Sequence, residues 1–409
     1  MKIVRIIARL NVGGPARHVV WLTEALSDDE FQTTLIAGSV PAGEEDMSCF
    51  AAERGVVPVI IPEMSRELSP QDAVSLWKIY RRLRAEKPDI IHTHTAKAGT
   101  VGRVAGFFYR WLTFGTLVGR PRRVRFVHTY HGHVFHSYYG RRKTAFFLFI
   151  EKALALLVTD RIITISRRQY EEIHRQFGVG RDAQFRVVPL GIDLAPFAAA
   201  PEKRRLFRAE IGARDDEILV GLVGRLTEIK NHALFLETAR RYKDHFAASA
   251  PPLKFVIIGD GHLRSRLEAQ AEALGVSDLV VFTGNRSDAD TFYAGLDIVA
   301  LTSLNEGTPL SLIEAMAARL PCISTAVGGV GDLLGAAETE MDGFTVCERG
   351  VSVSSRRAED FCSGLIYLAK NEKLRKELET RGTAFAVAEY SKERLIGDIK
   401  SLYRSLYKK

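Results

Sequence analysis

Short apolar runs alternate with amphipathic stretches along the whole chain, and this alternation is typical of parallel sheets covered by helices. Helices over His18–Ser27 and Ala73–Glu86 are predicted to lie between strands of the first half. After Gly191 a loose segment over 194–205 predicts a linker, and a second alternation follows it. We therefore predict an α/β chain with two Rossmann-like, doubly wound domains that face each other across a cleft. The predicted strands are Lys2–Ala8, Thr33–Ala37, Val57–Ile61, Ile90–His94, Arg125–His131, Arg161–Ile165 and Phe185–Pro189, then Leu219–Val223, Lys254–Ile258, Val280–Thr283, Ile298–Leu301 and Pro321–Ser324.

The composition narrows the class of protein without naming an activity. The chain has 409 residues, of which 46% are hydrophobic and 26% are charged, and this excludes disordered, collagenous and disulfide-scaffold proteins. Its four cysteines have no C-x-x-C pair, so we expect reduced or buried thiols, with no zinc site and no oxidising compartment. The opening MKIVRIIARL carries arginines within its apolar run, so it predicts a strand instead of a signal peptide. No apolar run is long enough to span a bilayer.

The charge is concentrated in the first half of the chain. Residues 1–200 hold 28 Lys and Arg against 19 Asp and Glu, whereas residues 201–409 hold 29 against 30. Residues 101–150 carry nine basic residues, no acidic one and many large apolar side chains. This mixture favours an anionic membrane surface or a lipid phosphate, with Arg122, Arg123 and Arg125 as contacts. Nucleic acid is a rival without a supporting motif, and a solvated basic face over an ordinary core helix is the other alternative.

Two loops that follow predicted strands could hold an anion. After the first strand, Gly13 and Gly14 let the backbone approach a ligand, and Pro15 stands at a predicted helix start near Ala16. This is no G-x-G-x-x-G fingerprint, and a plain tight turn would use the same residues. Directly after the strand Leu219–Val223, Gly224 precedes Arg225, and Lys230 follows five residues later. Two cations at a strand end could hold a diphosphate and stabilise it as a leaving group.

The segment Asn305–Ala315 is the strongest candidate site. Thr308 is predicted to cap a helix whose first residue is Pro309, which would turn the free amides of Leu310 and Ser311 toward a phosphate. Glu306 precedes this helix and Glu314 lies within it, so both carboxylates could accept hydrogen bonds from one sugar-containing ligand. An amphipathic helix with exposed acids is the alternative, although the flanking glycine and proline argue against a chance pair.

A histidine follows another strand of the first half. His131 precedes Gly132, which opens the backbone beside it, and an imidazole there suits a hydrogen bond to a sugar hydroxyl. A buried histidine satisfied within the core is the alternative. His92 and His94 share one face of a strand, as metal ligands can, but no nearby carboxylate completes a ligand set. We therefore expect no metal site.

The order Gly13-Gly14, His131, Arg225 with Lys230, and Glu306-x7-Glu314 resembles the retaining glycosyltransferases of family 4, which have the GT-B fold. Segments 188–193, 256–261 and 282–285 also resemble that family. The run 92–99, with Gly102-Arg103 and 129–132, looks like its bacterial branch that builds capsular, exopolysaccharide or O-antigen repeats. The stretch Phe107–Arg125 is longer than the family pattern.

The resemblance implies domains over 1–195, with a crossover helix over 390–409, and over 196–389. It implies that Arg225 and Lys230 hold the donor diphosphate, Glu314 the ribose hydroxyls and Glu306 the donor sugar, while His131 contacts the sugar near its reacting carbon. The remaining donor contacts it implies are Gly13, Gly14, Gly224, Asp260, Gly261, Asn285, Gly307, Thr308, Pro309 and Leu310. Lys97 and Arg103 join the three arginines named above as acceptor or membrane contacts.

These observations predict an enzyme that transfers a sugar from a nucleotide-sugar, with UDP favoured, to a lipid-linked saccharide, with retention and without a metal or other cofactor. The acceptors of the bacterial branch are usually linked to undecaprenyl diphosphate, so we expect a cytoplasmic protein at the inner face of the cell membrane and no nucleic-acid partner. A nucleotide-sugar epimerase of the same fold is the main alternative, and a catalytically silent binding protein is another.

Overall fold

The structure is a computed structural model that describes residues 1–11, 13–41, 46–64, 70–131, 141–197 and 201–407, with the backbone alone at 141–143. The chain divides into a first domain, Met1–Gly191 with Lys392–Lys409, and a second domain, Ile192–Ser391. The predicted boundary at 195/196 lies a few residues beyond this division.

The first domain is a parallel sheet of seven strands in the order β3-β2-β1-β4-β5-β6-β7. Alternate side chains of each strand pack against helices on opposite faces, which explains the nearly continuous apolar runs. Its strands are β1 (Lys2–Ile7), β2 (Gln32–Gly38), β3 (Val59–Ile61), β4 (Ile90–His94), β5 (Arg125–Tyr130), β6 (Arg161–Thr164) and β7 (Phe185–Val187). Its helices are α1 (Gly14–Ala25), α2 (Ser48–Ala52), α3 (Asp72–Glu86), α4 (Ala96–Trp111), α5 (Phe114–Leu117), α6 (Arg141–Leu157), α7 (Arg167–Tyr170) and, from the end of the chain, α16 (Lys392–Tyr407).

The second domain has an eight-stranded sheet in the order β10-β9-β8-β11-β12-β15-β14-β13. The strands from β10 to β15 in this order pair in parallel, and β13 and β14 add an antiparallel edge. Its strands are β8 (Ile218–Val223), β9 (Leu253–Ile258), β10 (Val280–Gly284), β11 (Ile298–Leu301), β12 (Cys322–Thr325), β13 (Ala337–Glu340), β14 (Thr345–Cys347) and β15 (Gly350–Val353). Its helices are α8 (Pro201–Glu210), α9 (His232–His245), α10 (Arg264–Ala273), α11 (Ala289–Gly295), α12 (Leu310–Ala317), α13 (Val330–Leu334), α14 (Ala358–Lys370) and α15 (Glu372–Tyr390).

All twelve predicted strands are present within a few residues, and β13, β14 and β15 were not predicted. The predicted linker over 194–205 is wrong in part, because α8 begins at Pro201; residues 198–200 lie outside the described residues. The predicted final segment forms α16, whose buried Leu395, Ile399 and Tyr403 join the apolar core of the first domain.

The free cysteines fit the expectation of reduced thiols, with Cys49 exposed and Cys322, Cys347 and Cys362 buried. Among the described helices, none combines the length and the apolar character needed to cross a membrane.

Candidate active site

The loops that follow β8, β9 and β10 meet at one edge of the second sheet. Leu226 N donates to Asp260 O over 3.0 Å, and Gly259 N donates to Gly284 O over 2.9 Å. Gly259 has φ 140°, and a Cβ at this position would lie 2.1 Å from the carbonyl oxygen of Gly224, so only glycine permits the approach. The strand ends therefore bring together four of the predicted donor contacts, which are Gly224, Asp260, Gly261 and Asn285.

Lys230 and Glu306 form an ion pair at this edge. A short 3-10 helix over Glu228–Lys230 presents the lysine, whose Nζ lies 2.7 Å from Glu306 Oε1. Ser303 Oγ donates to the same carboxylate oxygen over 2.6 Å, and Leu304 N donates to Ile229 O over 2.8 Å. The lysine and the glutamate are 20% and 12% exposed. Mostly buried charges held by several partners keep their positions, as a preorganised binding site requires.

Arg225 adds a second positive charge beside Lys230. It follows Gly224, whose missing side chain leaves room for Lys230, since a Cβ there would lie 3.2 Å from Lys230 Cε. Arg225 is exposed and has no ion pair with any residue that the structure describes. Its guanidinium is thus available to an anionic ligand at the edge where Lys230 lies.

The helix after Glu306 begins one residue later than predicted. Pro309 is the N-cap of α12 and the first helical residue is Leu310, so Thr308 does not cap the helix and that prediction is wrong. The physical reason is that Pro309 adopts an extended backbone, with ψ 108°, and cannot be the first helical residue. The amides of Leu310 and Ser311 still stand at the first two helical positions, where no intrahelical acceptor exists.

The loop before α12 is held by close backbone packing. Gly328 follows β12 with φ 58°, and a Cβ there would lie 1.8 Å from the carbonyl oxygen of Glu306. Gly329 N donates to the same oxygen over 3.2 Å. The backbone at 328–329 therefore packs directly against the backbone at 306–307. This contact holds Gly307 and Thr308 next to the Lys230–Glu306 pair.

Glu314, on α12, has a fixed carboxylate. Tyr293 OH donates to Glu314 Oε2 over 3.0 Å and lies 3.2 Å from Ser311 O. Burial, and then the nearby Glu314 charge, raise the pKa of Tyr293 well above its ordinary value, so the phenol stays a donor.

The first domain gathers three imidazoles at the carboxyl ends of its strands. His94 ends β4, His131 follows β5, and His18 lies on α1 one turn after the Gly13-Gly14 loop. His94 Nδ1 lies 2.9 Å from His131 Nε2, and the ring centroids of His18 and His131 are 4.8 Å apart. Burial lowers the pKa of His131 to about 4 and lowers the pKa values of His18 and His94 well below the usual range. All three rings are therefore neutral at pH 7.

A second polar layer lies behind these rings. His92 Nδ1 is 2.6 Å from Tyr403 OH on α16, and His92 Nε2 is 2.7 Å from Thr129 Oγ1. Arg5 is fully buried and donates to Tyr403 OH over 3.1 Å. The final helix thus completes a polar network under the sheet edge that carries His131.

The three histidines also have metal-ligand spacing, because one nitrogen of each lies within 4.8 Å of the others. Among the described residues, no carboxylate joins the cluster, and the positive charge of Arg5 acts on both His18 and His94. Three neutral imidazoles can nevertheless ligate zinc without a carboxylate, so the expectation of no metal site stays a prediction.

The remaining predictions for the first domain have mixed outcomes. Gly13 is the N-cap of α1 and Gly14 its first residue, so the helix starts before the predicted Ala16. Gly132 lies outside the described residues.

Lys97 and Arg103 are buried in ion pairs, with Asp72 over 2.6 Å and with Glu151 over 2.6 Å. Their assignment to an acceptor or membrane surface is corrected, because carboxylates on α3 and α6 hold both side chains away from solvent.

Several partner residues were not predicted from the sequence. His18 and Tyr293 each support a predicted residue from another element, and Ser303 supports Glu306 from within the same loop. His18 carried a signal, since it lies four residues after Gly14 and so faces the same end of α1. Ser303 lies three residues before Glu306 in the same loop, so its contact is local. Tyr293 carried no signal, because only the fold brings α11 to Glu314 on α12.

Comparisons with known proteins agree with this arrangement. The family profile of glycosyltransferase family 4 matches residues 12–196, and that of the glycosyl transferases group 1 matches residues 203–385. The chain is 31% identical over 288 residues, 70% of each protein, to the UDP-Gal:alpha-D-GlcNAc-diphosphoundecaprenol alpha-1,3-galactosyltransferase of Escherichia coli. It is 27% identical over 351 residues, 85% of each, to EpsD of Bacillus subtilis (strain 168), whose name assigns it to the glycosyltransferases.

The fold has a solved counterpart in Anabaena Alr3699/HepE in complex with UDP, with a TM-score of 0.76 at 18% identity over 99% of this chain and 100% of that one. The epimerase alternative finds no support among these relatives. With both halves of the chain matched and the site residues assembled at the strand ends, the chain belongs to glycosyltransferase family 4 and has the GT-B fold.

Proposed function

We propose that this glycosyltransferase moves a sugar from a UDP-sugar to a hydroxyl of an undecaprenyl-diphosphate-linked saccharide in bacterial surface polysaccharide synthesis. The observation that carries the proposal is the second domain's loop edge, where Arg225, the Lys230–Glu306 pair and the open N-terminus of α12 lie together. Two cations and free amides suit a diphosphate, and the carboxylates of Glu306 and Glu314 suit the hydroxyls on either side of it.

The proposed reaction is a same-face substitution with retention. The bond between the sugar C1 and the diphosphate oxygen breaks to an oxocarbenium-like state, and the acceptor hydroxyl attacks from the same face. The departing diphosphate oxygen takes the acceptor proton, while Arg225 and Lys230 stabilise the charge that develops on the leaving group. Fixed cations perform the task that a metal ion has in other transferases, so the reaction is proposed to need none.

The glutamates do not act as a glycosidase pair in this scheme. A glycosidase needs one protonated carboxyl beside a second carboxylate that serves as nucleophile or base. Glu306 is instead ion-paired with Lys230 and accepts from Ser303, and Glu314 accepts from Tyr293. Both are therefore proposed to bind the donor as hydrogen-bond acceptors.

The choice of substrates rests on the relatives. The name of the Escherichia coli relative specifies a UDP-sugar donor and a diphosphoundecaprenol-linked acceptor, and the Anabaena structure contains UDP. We extend both classes to this chain. The sugar, the acceptor saccharide and the linkage are not part of the proposal.

A cytoplasmic position at the inner face of the cell membrane is proposed from the surface of the first domain. Phe114 and Leu117 on α5 are 92% and 83% exposed. A surface cavity of about 1120 Å³ on the same domain is lined by Trp111, Arg122 and Arg123, and by Arg110 and Arg125, which both pair with Asp160. Apolar side chains next to arginines suit an interface of acyl chains and anionic headgroups.

The test begins with thermal shifts of the full chain with UDP, GDP, ADP and their sugars, since a ligand that binds the folded form raises the Tm. The expected result is a shift with UDP compounds, which Arg225→Ala weakens. Transfer to a synthetic undecaprenyl-diphosphate sugar, with the product anomer assigned by NMR and EDTA present, then tests the reaction. Near-normal turnover of Arg225→Ala at saturating donor, or an inverted product, would overturn the proposed chemistry.

A further inference from the structure

A buried phenol on α11 contacts the carboxylate of Glu314 on α12. Tyr293 is completely buried, and its hydroxyl lies 3.0 Å from Glu314 Oε2 and 3.2 Å from the carbonyl oxygen of Ser311. Ser311 precedes Glu314 by three residues, so both lie on the same side of α12. One hydroxyl therefore holds the side chain of Glu314 next to the backbone of the preceding helical turn.

The phenol itself has a fixed position. The ring centroid of Tyr293 lies 4.7 Å from that of Phe292 and 5.6 Å from that of Phe197, which meets it edge to face. Burial, and then the charge of Glu314, raise the pKa of Tyr293 well above its ordinary value, so the hydroxyl keeps its proton at neutral pH. Glu314 is thus held by a donor that neither moves nor loses its proton.

A fixed carboxylate matters for a ligand that carries hydroxyl groups. Glu314 is only partly buried, and a glutamate side chain has three rotatable bonds, so ordering it at the moment of binding costs conformational entropy. A partner that holds the carboxylate before the ligand arrives reduces this cost. A hydrogen bond from a sugar hydroxyl also weakens steeply when the acceptor is misplaced.

We propose that Tyr293 is a positioning residue that holds the carboxylate of Glu314 for the ribose of the donor, and that it thereby makes the enzyme discriminate a ribonucleotide from its dideoxy analogue. The inference rests on the proposed function, in which Glu314 accepts from the ribose hydroxyls of a UDP-sugar. Tyr293 touches no substrate itself, because it has no exposed surface.

The substitution Tyr293→Phe keeps the ring and removes the hydroxyl. Isothermal titration calorimetry of the full chain with UDP and with 2′,3′-dideoxy-UDP measures the effect. We expect the unmodified protein to bind UDP about 10- to 100-fold more tightly than the dideoxy nucleotide, because a charged acceptor loses its hydroxyl partners. Tyr293→Phe should weaken UDP binding about 3- to 10-fold and leave the Kd of dideoxy-UDP within a factor of about two.

The ratio of the two Kd values separates positioning from a structural role, since a damaged domain would bind both nucleotides less well. Tyr242→Phe is the matched control, because Tyr242 is also buried in the second domain, and its hydroxyl donates to Pro251 O and accepts from Leu253 N, each over 3.0 Å. It should leave both Kd values unchanged.

A double variant tests whether Tyr293 acts through Glu314. Glu314→Ala should remove most of the discrimination between the two nucleotides. Adding Tyr293→Phe to Glu314→Ala should then have no further effect on the ratio, because the hydroxyl has no carboxylate left to hold. Two independent, additive losses would contradict the inference.

Discrimination that survives Tyr293→Phe but is lost in Glu314→Ala would overturn the inference alone, and so would an equal weakening of both nucleotides by Tyr293→Phe. Discrimination that survives Glu314→Ala would overturn the ribose contact of Glu314, and an unmodified protein that does not bind UDP would overturn the proposed donor. The failure of the inference is therefore distinguishable from a failure of the proposed function.

Discussion

The two domains carry different kinds of side chain at the carboxyl ends of their central strands. In the first domain, the ends of β4 and β5 carry buried, neutral imidazoles above a polar network. In the second, the loops after β8 and β11 carry the cation of Lys230 and the carboxylate of Glu306, paired and partly exposed, with Arg225 in solvent beside them. Both regions lie at the carboxyl ends of parallel strands, so the architecture does not explain the difference.

The difference follows from the charge of what each region is proposed to bind. A diphosphate is an anion, and fixed cations that stay partly solvated can bind it without a large desolvation cost. A sugar hydroxyl is neutral and needs a donor of known orientation more than a charge. Burial keeps His131 neutral, and its neighbours keep it oriented. The second domain thus carries the groups proposed to stabilise charge, and the first domain carries the group proposed to orient a sugar hydroxyl.

The largest expected effect is the pH dependence of stability in the first domain. Burial lowers the pKa values of His18, His92, His94 and His131, so below pH 6.5 the unfolded chain binds protons that the folded domain does not. Stability should fall as the pH falls from 6.5 toward the folded pKa, which is about 4 for His131. Each imidazole contributes about 1.4 kcal/mol per pH unit to this loss.

Tryptophan fluorescence reports on the first domain alone, because all three tryptophans lie there, at positions 21, 77 and 111. Urea unfolding followed by tryptophan fluorescence should give a much smaller free energy of unfolding at pH 5.5 than at pH 7.5. His94→Asn should reduce this loss by about 1.4 kcal/mol per pH unit. His262→Asn removes an exposed ring of the second domain and should leave the pH dependence of the first domain's stability unchanged. An equal stability at both pH values would contradict the idea of a neutral, buried cluster.

The second-largest effect is expected at Lys230 in the second domain. Lys230→Met should lower kcat by 10²- to 10³-fold, roughly 3–4 kcal/mol, because the leaving diphosphate loses a preorganised cation and Glu306 loses its partner. Steady-state kinetics at saturating donor give the measurement. Lys243→Met is the control, since Lys243 pairs with Asp278 on the surface of the same domain. A kcat within a few-fold of normal would show that Lys230 does not act on the leaving group.

A smaller effect is expected for the ribose contact. Glu314→Gln should raise the donor KM by 10- to 30-fold, about 1.5–2 kcal/mol, with little change in kcat, because a hydrogen bond to a charged acceptor becomes one to a neutral acceptor. Initial rates over a range of donor concentrations separate KM from kcat. Glu272→Gln on α10, an exposed glutamate, should leave both constants unchanged. A fall in kcat alone would place Glu314 at the reacting carbon instead.

The smallest effect concerns the outer surface of the first domain. Arg123 is exposed beside the apolar α5, and Arg123→Gln should weaken binding to vesicles with anionic lipid about fivefold, or about 1 kcal/mol. Vesicle co-sedimentation at low and high salt measures it. Arg266→Gln, on α10 of the second domain, is the matched control. Equal binding by all three proteins would remove the support for membrane contact through this surface.

The strands that the sequence predicted are those with continuous apolar runs. β1, β4 and β11 are buried on both faces, so their residue types alone mark them. β13 could not be found in this way, because Ala337–Glu340 is exposed along its whole length and has no apolar alternation. It is a strand because β14 pairs with it, and pairing is a tertiary property.

The candidate site divides in the same way. Motif spacing predicted Arg225, Lys230, Glu306 and His131 because each lies in a loop that follows a strand, and it predicted Glu314 from its place on the helix after Glu306. The error at Lys97 and Arg103 came from treating basic residues in a basic segment as surface charges. Asp72 and Glu151, distant in the sequence, pair with these side chains and draw both inward.

The sequence by itself determined the two α/β domains, the family and the residue types of the donor site, since apolar periodicity and loop glycines are local features of the chain. Only the tertiary structure decided which charges face solvent, that His131 is neutral, and that His94 and Tyr403 stand behind it. The reason is physical: burial and hydrogen-bond partners come from segments distant in the chain, and they set the charge and orientation of a side chain that the sequence can only name.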